Sequence, residues 1–175
     1  SAETIFFILE KAKKFQVKII IDLNWREVFW DFSIFSSEIS KTARVKLIKN
    51  FLNHAHVLKL AKEEANLFFE QTNPMLISQQ MSEIPDVIIT DGNKPVEWFI
   101  NGFQGTTETP NSQKIVDTTG AGDAFLAGLI SKLISSGYPT NESKIKDCVN
   151  FASVCGLLTC PVSYTHLRAH ETVSD

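Results

Sequence analysis

The feature that most constrains the fold of this chain is an alternation of short apolar runs with amphipathic segments. The apolar runs are typical of strands buried on both faces, and they read VKIIIDL (17–23), HVLKL (56–60) and DVIIT (86–90). Apolar residues recur at helical spacing between them, which predicts helices over Glu3–Phe15 and about 39–53, 62–70 and 73–82. Such alternation predicts a mostly parallel α/β sheet.

The second half of the chain changes character. VEWFI (96–100) is followed by a polar stretch and then by KIV (114–116), a pattern that predicts a β-hairpin or meander. A helix is expected from about residue 120 to Gly137, a favourable residue just past a helix end, with Pro139 beyond it. A last helix is expected over 141–158.

Composition narrows the class of partner. The chain has 175 residues, 43% of them hydrophobic, and a net charge of −3 without a basic block, so we expect one domain and neither nucleic-acid nor membrane binding. Small molecules are the expected partners. The three cysteines form no CxxC pair and indicate a reducing compartment, so we expect the cytoplasm. The start without methionine, directly in helical periodicity, indicates a chain cut open upstream.

The segment DTTGAGD (117–123) carries the strongest chemical signal. Two glycines in the first turn of a helix give up roughly 0.5–1 kcal/mol each relative to alanine, which favours a role in close approach to a phosphate. Thr118 or Thr119 is expected to cap this helix. Asp123 then lies beside an anion site, where an ionised carboxylate can accept a proton from an attacking hydroxyl.

A structural explanation of Asp123 stays open at this point. An acid in the first turn of a helix is common, and the helix dipole alone stabilises it by about 0.3–1 kcal/mol.

DTTGAGDAFLAGL closely resembles the second signature of the PfkB, or ribokinase-like, carbohydrate kinases. Four other segments resemble family motifs in the same order, with the spacing of fructokinases: IIIDLNWREVFW, LKLAKEEA, IITDG and VNFASVCGLLTC. The resemblance covers residues 1 to about 160 and corresponds to the C-terminal half of such an enzyme. It implies the C-terminal portion of a ribokinase-like three-layer α/β/α sandwich.

The resemblance also implies roles for individual residues. Asp123 would be the catalytic base against the substrate hydroxyl, and the backbone of Gly120, Ala121 and Gly122 would form the anion hole. Arg26 matches the arginine near the substrate. The nucleotide-binding positions are Thr90, Asp91, Gly92 and Ser153. The metal positions are Glu64, which organises Mg²⁺ through water, and Asp117 and Thr119, which hold a monovalent cation such as K⁺ in some members.

The implied function is ATP-dependent phosphorylation of a sugar, with the 6-hydroxyl of fructose as the leading acceptor. Two alternatives stay open: a 2-keto-3-deoxygluconate kinase, and a catalytically silent protein that binds partners through the same fold. A homodimer of the complete enzyme is also left open.

Without the family, several of these residues have simpler explanations. Glu64 is then expected as a solvated charge on an exposed helix face, and Arg26 as a surface ion-pair partner. Aromatic residues Trp25, Phe29 and Trp30 are expected to pack, and His54 and His56 are expected to be structural.

The last fifteen residues, PVSYTHLRAHETVSD, lose helical periodicity and any family resemblance. VSYTHLRAHET instead resembles translated sequencing-adapter read-through. We therefore expect residues 1–160 to form the kinase-like domain and residues 161–175 to be a non-native tail.

Overall fold

The computed structural model describes residues 2–26, 41–110 and 119–160. These segments contain five strands and six helices. The strands are β1 (Ile20–Asp22), β2 (Val57–Ala61), β3 (Asp86–Thr90), β4 (Val96–Ile100) and β5 (Phe103–Thr107). The helices are α1 (Ala2–Lys14), α2 (Lys41–Leu52), α3 (Lys62–Phe69), α4 (Pro74–Gln79), α5 (Ala121–Ser136) and α6 (Glu142–Leu158). KIV (114–116) and the tail (161–175) lie outside the described residues.

The five strands form one sheet in the order β1-β2-β3-β4-β5. β1, β2 and β3 pair in parallel, whereas β4 pairs antiparallel with both of its neighbours. The expectation of a mostly parallel sheet therefore holds only for the first three strands. The reason lies in two short connections, residues 91–95 between β3 and β4 and Asn101-Gly102 between β4 and β5. Neither has room for a crossover, and the φ angles of 49° and 80° at Asn101 and Gly102 suit a tight hairpin.

Two apolar clusters cover opposite faces of the sheet, which gives the three-layer α/β/α arrangement. Side chains alternate along β2, so that Val57 enters one cluster while Leu58 and Leu60 enter the other. The Leu58 cluster includes Phe68 of α3 and contacts from α2 and α4. The Val57 cluster is built with α5 and α6, through residues such as Phe125, Leu129, Ile145 and Val149.

Close approach of α5 and α6 fixes where α5 begins. A Cβ atom added to Gly128 would lie 2.8 Å from Cys155 Sγ, and one added to Gly156 would lie 2.9 Å from the carbonyl oxygen of Ala121. Contacts this short are not tolerated, so both positions need glycine for packing. Because Gly156 lies against Ala121, the packing of α6 holds the first turn of α5 in place.

None of the helices in the described ranges has the length and hydropathy needed to cross a bilayer.

Candidate functional site

A cleft of about 310 Å³ lies where the carboxyl ends of the three parallel strands meet the first turn of α5. Clefts at this edge of α/β sheets are the usual ligand sites of such folds. Its lining brings together seven residues predicted from the sequence: Arg26, Glu64, Thr90, Thr119, Gly120, Gly122 and Asp123. Four further residues complete the lining: Asp22, Asn24, Lys59 and Ala61.

The first turn of α5 opens into the cleft without a side-chain cap. Its N-cap is Gly120 in a left-handed conformation (φ 83°), and Ala124 N–H donates to the Gly120 carbonyl over 2.9 Å. The N-cap residue is thus Gly120 and not Thr119, and Thr118 lies outside the described residues. The N–H groups of Ala121, Gly122 and Asp123 precede that hydrogen bond and have no intrahelical acceptor. They point out of the positive end of the helix, beside the exposed side chain of Asp123.

Glu64 joins two loops at the edge of the cleft. Its Oε1 accepts from Trp25 N–H over 2.5 Å, and its Oε2 accepts from Ala61 N–H over 2.7 Å. The residue is only 7% exposed, so its interpretation as a solvated surface charge was wrong. Burial raises the pKa of Glu64, more than the two backbone hydrogen bonds lower it. By holding Trp25, Glu64 places the neighbouring Arg26 over the cleft.

Lys59 and Asp22 form a buried ion pair that the sequence analysis did not identify. Lys59 Nζ lies 2.8 Å from Asp22 Oδ2, and their side chains are 6% and 11% exposed. The two residues are register partners on β2 and β1. A signal was present: Lys59 is the single charged residue within the apolar strand VLKLA.

The predicted nucleotide-binding residues are only partly brought together. Thr90 lines the cleft at the end of β3. Asp91 lies beside it, between Lys62 Nζ at 3.1 Å and Lys94 Nζ at 3.0 Å, and hydrogen bonds from the two lysines lower its pKa. Gly92 has a left-handed backbone (φ 58°). Ser153 is buried within α6, where its hydroxyl donates to the carbonyl of Val149.

The predicted metal positions do not form a ready-made cation cage. Across the described ranges, no three His, Cys, Asp or Glu side chains are grouped as metal ligands. Both carboxylate oxygens of Glu64 already accept backbone N–H groups, and Asp22 is paired with Lys59. Asp117 lies outside the described residues. This donor set fits an ion that keeps water or phosphate ligands, as Mg²⁺ commonly does.

The remaining aromatic and histidine residues pack rather than line the cleft. The Trp25 ring meets Phe68 edge-on at 5.3 Å between centroids. His56 Nδ1 accepts from Ile19 N–H over 3.0 Å, and the His54 ring lies 5.9 Å from that of Phe6. Phe29 and Trp30 lie outside the described residues.

Comparison with known proteins gives consistent matches. Residues 1–170 match the family model described as pfkB family carbohydrate kinase. Over 172 residues the chain is 28% identical to the probable fructokinase-5 of Arabidopsis thaliana, covering 95% of this chain and 50% of that protein. It is also 28% identical to the fructokinase of Salmonella typhimurium, covering 90% of this chain and 50% of the relative. The chain thus spans about half the length of these relatives.

Solved structures match equally widely. The fructokinase of Vibrio cholerae O395, in its fructose-, ADP- and calcium-bound form, superposes with a TM-score of 0.70 at 26% identity, over 89% of this chain and 48% of that one. The fructokinase of Xylella fastidiosa with bound ATP has a TM-score of 0.74 at 22% identity, over 91% of this chain and 50% of that one, and shows the shared fold. These matches confirm the ribokinase-like architecture and the family resemblance. The chain belongs to the pfkB family of carbohydrate kinases.

Proposed function

We propose that the enzyme containing this chain transfers the γ-phosphoryl group of ATP to the 6-hydroxyl of fructose. The observation that carries the proposal is the shared opening of the Asp123 carboxylate and the first N–H groups of α5 into one cleft. The fructokinase names of relatives at 28% identity support fructose as the acceptor. The free cysteines Cys148, Cys155 and Cys160 support a cytoplasmic enzyme.

The reaction requires a base, an anion site and alignment of the two substrates. Asp123 accepts the proton of the sugar hydroxyl while the hydroxyl oxygen forms a bond to the γ-phosphorus. The bond between that phosphorus and the β–γ bridging oxygen breaks, and its electron pair leaves with ADP. The proton on Asp123 then passes to solvent. In this proposal the backbone N–H groups of Gly120, Ala121 and Gly122, together with that of Asp123, stabilise the negative charge of the phosphoryl oxygens during transfer.

Other residues of the cleft bind and orient. Arg26, which lines the cleft, is proposed to contact the sugar or the phosphates. Thr90, Asp91 and Gly92 form the loop proposed to hold the nucleotide, and Ser153 of α6 is proposed to line the adenine pocket. Mg²⁺, reached by Glu64 through water, would supply charge neutralisation of the phosphates. A K⁺ site at Asp117 and Thr119 is the corresponding proposal for a monovalent cation; one Vibrio cholerae fructokinase structure holds a potassium ion.

The test is a panel of acceptors with ATP and the purified full-length enzyme. ADP formation that depends on fructose, with fructose 6-phosphate identified by ³¹P NMR, is the expected result. Asp123→Asn enzyme prepared in parallel measures contaminating kinases. If the enzyme phosphorylates 2-keto-3-deoxygluconate but not fructose, the proposed acceptor is wrong. If soluble, folded enzyme phosphorylates no sugar, the catalytically silent alternative is supported.

A further inference from the structure

Lys59 is a buried cation at the wall of the cleft, next to the first turn of α5. We propose that its ammonium group binds the transferring phosphoryl group and that Asp22 positions it, an inference that rests on the proposed function. Lys59 would then be a catalytic residue of the reaction, while Asp22 acts through it.

The position of Lys59 in the sheet is one where an apolar residue would pack well. Alternation along β2 places its side chain on the same face as Val57, toward α5 and α6. Its register partner on β3 is Ile88, a fully buried member of that apolar cluster. Replacing a buried ion pair by packed apolar residues is often neutral or stabilising, so fold stability alone gives little reason for a lysine here.

The ammonium group has donors to spare, and they lie beside the anion site. A lysine carries three N–H donors, and within residues 2–26, 41–110 and 119–160 the acceptor that Nζ reaches is Asp22, at 2.8 Å. A Cβ atom added to Gly122 would lie 3.4 Å from Nζ, so the ammonium group adjoins the second residue of α5. The cation and the helix N–H groups therefore face one small volume.

The arrangement differs from that of Asp86, a half-buried carboxylate at the opposite end of the parallel strands. Asp86 accepts hydrogen bonds from the Tyr138 hydroxyl and from Asn101 N–H, on Oδ2 and Oδ1 respectively. Both of its oxygens are thus satisfied by the protein itself. By contrast, the Lys59 ammonium group donates one hydrogen bond, to Asp22, and its two other N–H donors adjoin the cleft.

The charges lining the cleft make this cation important for an anionic ligand. The described lining contains two basic residues, Arg26 and Lys59, and three acidic ones, Asp22, Glu64 and Asp123. Arg26 is exposed, whereas Lys59 is 5% exposed and so poorly screened by solvent. A phosphoryl group entering between Asp123 and Gly122 therefore meets Lys59 as its nearest buried positive charge.

The decisive variants separate folding from chemistry. Lys59→Met keeps an unbranched side chain, one heavy atom shorter, but removes its charge, and we expect kcat to fall about 10²–10³-fold, as on loss of one transition-state donor. It also leaves Asp22 buried without its partner, which destabilises the fold. The double variant Asp22→Asn with Lys59→Met removes both charges, so we expect its melting temperature to return close to that of the wild type while kcat stays low.

A nucleotide-binding measurement tests the inference without the acceptor sugar. Isothermal titration of AMPPNP and of AMP compares ligands that differ in the β- and γ-phosphates. We expect the double variant to bind AMPPNP about tenfold more weakly than the wild type, with AMP affinity unchanged within twofold. Lys132→Met, a lysine of α5 away from the cleft, is the control and should leave both affinities unchanged.

The outcomes distinguish the two claims. A wild-type enzyme that phosphorylates no sugar, yet prefers AMPPNP over AMP in a Lys59-dependent way, would defeat the proposed function and retain this inference. A double variant with recovered stability and wild-type kcat would show that Lys59 serves folding alone, and equal AMPPNP affinity in wild type and double variant would overturn phosphoryl binding. Absence of AMPPNP binding to the wild type would overturn it as well.

Discussion

The first turn and the middle of α5 both depend on glycine, but for opposite physical reasons. At Gly120 an added Cβ would meet no atom within 4 Å, and at Gly122 it would meet only Lys59 Nζ at 3.4 Å. At Gly128, and at Gly156 on the facing helix, an added Cβ would collide with packed atoms at 2.8–2.9 Å. Gly120 and Gly122 keep the start of the helix open toward the cleft, whereas Gly128 and Gly156 allow α5 and α6 to approach each other closely.

This difference teaches how a helix can be both an anchor and a ligand site. Glycine weakens a helix by about 0.5–1 kcal/mol per residue relative to alanine, so the open first turn is intrinsically unfavourable. The tight α5–α6 contact, with Gly156 against the carbonyl oxygen of Ala121, holds that turn in place. Substitutions in the first turn should therefore affect turnover, and substitutions at the helix contact should affect stability.

Asp123→Asn gives the largest expected effect on the first turn. The change keeps the size of the side chain but removes proton acceptance, so kcat of the full-length enzyme should fall about 10²–10⁴-fold with nearly unchanged ATP affinity. Steady-state kinetics and nucleotide titration measure the two quantities.

Glu142→Gln is the matched control for Asp123→Asn, because Glu142 is the acidic residue in the first turn of α6, away from the cleft. It should lose its dipole contribution and its exposed ion pair with Lys146 (2.7 Å), each worth less than about 1 kcal/mol, without loss of turnover. A kcat of Asp123→Asn within a few-fold of the wild type would remove Asp123 from its role as base.

Gly156→Ala should produce the largest loss of stability. Helix propensity alone would favour alanine, but its Cβ would lie 2.9 Å from a backbone oxygen that cannot move aside cheaply. We expect the free energy of unfolding to fall by about 1–3 kcal/mol, measured by urea denaturation. An unchanged or higher midpoint would mean that α5 and α6 do not need this close contact.

Glu64→Gln tests the junction that places Arg26 beside the first turn. One amide oxygen can replace a carboxylate oxygen, but the NH₂ group then faces the backbone N–H of Trp25 or Ala61. We expect a loss of about 1–3 kcal/mol in the free energy of unfolding. The control is Glu63→Gln, at an exposed neighbouring position of α3, which should change stability by less than about 0.5 kcal/mol. Equal effects of the two variants would contradict the role of Glu64 as the acceptor that joins the Trp25 and Ala61 backbones.

Removal of residues 162–175 should have the smallest effect. These residues show no helical or strand periodicity, and α6 ends before them at Leu158. The melting temperature and any AMPPNP affinity are expected to stay the same in the shortened chain. A lower melting temperature would show that the tail packs on the domain and that the boundary at residue 160 is misplaced.

Much of this architecture could be predicted from sequence because local signals agree with the tertiary structure. Apolar runs located β2 and β3, and Gly137 correctly marked the end of α5, with a left-handed φ of 74°. The fold brings Arg26, Thr90 and Asp123, each predicted from a different motif, to one cleft. Arg26 and Thr90 were assigned from the resemblance to family motifs, and they lie near Asp123 because strand ends and the start of α5 meet at this edge of the sheet.

The missed features depend on contacts between residues distant in sequence. Lys59 and Asp22 are 37 residues apart, and their pairing follows from strand register. Glu64 lies in a charged stretch, KEEA, but its burial depends on Trp25, 39 residues away. The need for glycine at Gly156 depends on the path of α5, which no pattern within α6 reveals.

The most direct test of the central claim is a paired measurement on Gly122→Ala. If the open first turn exists for phosphate approach, the variant should gain up to about 1 kcal/mol in the free energy of unfolding while its kcat falls. Urea denaturation and sugar-dependent ADP release, measured on one preparation, give both values. A variant that is less stable and fully active would contradict the account, because Gly122 would then serve backbone geometry alone.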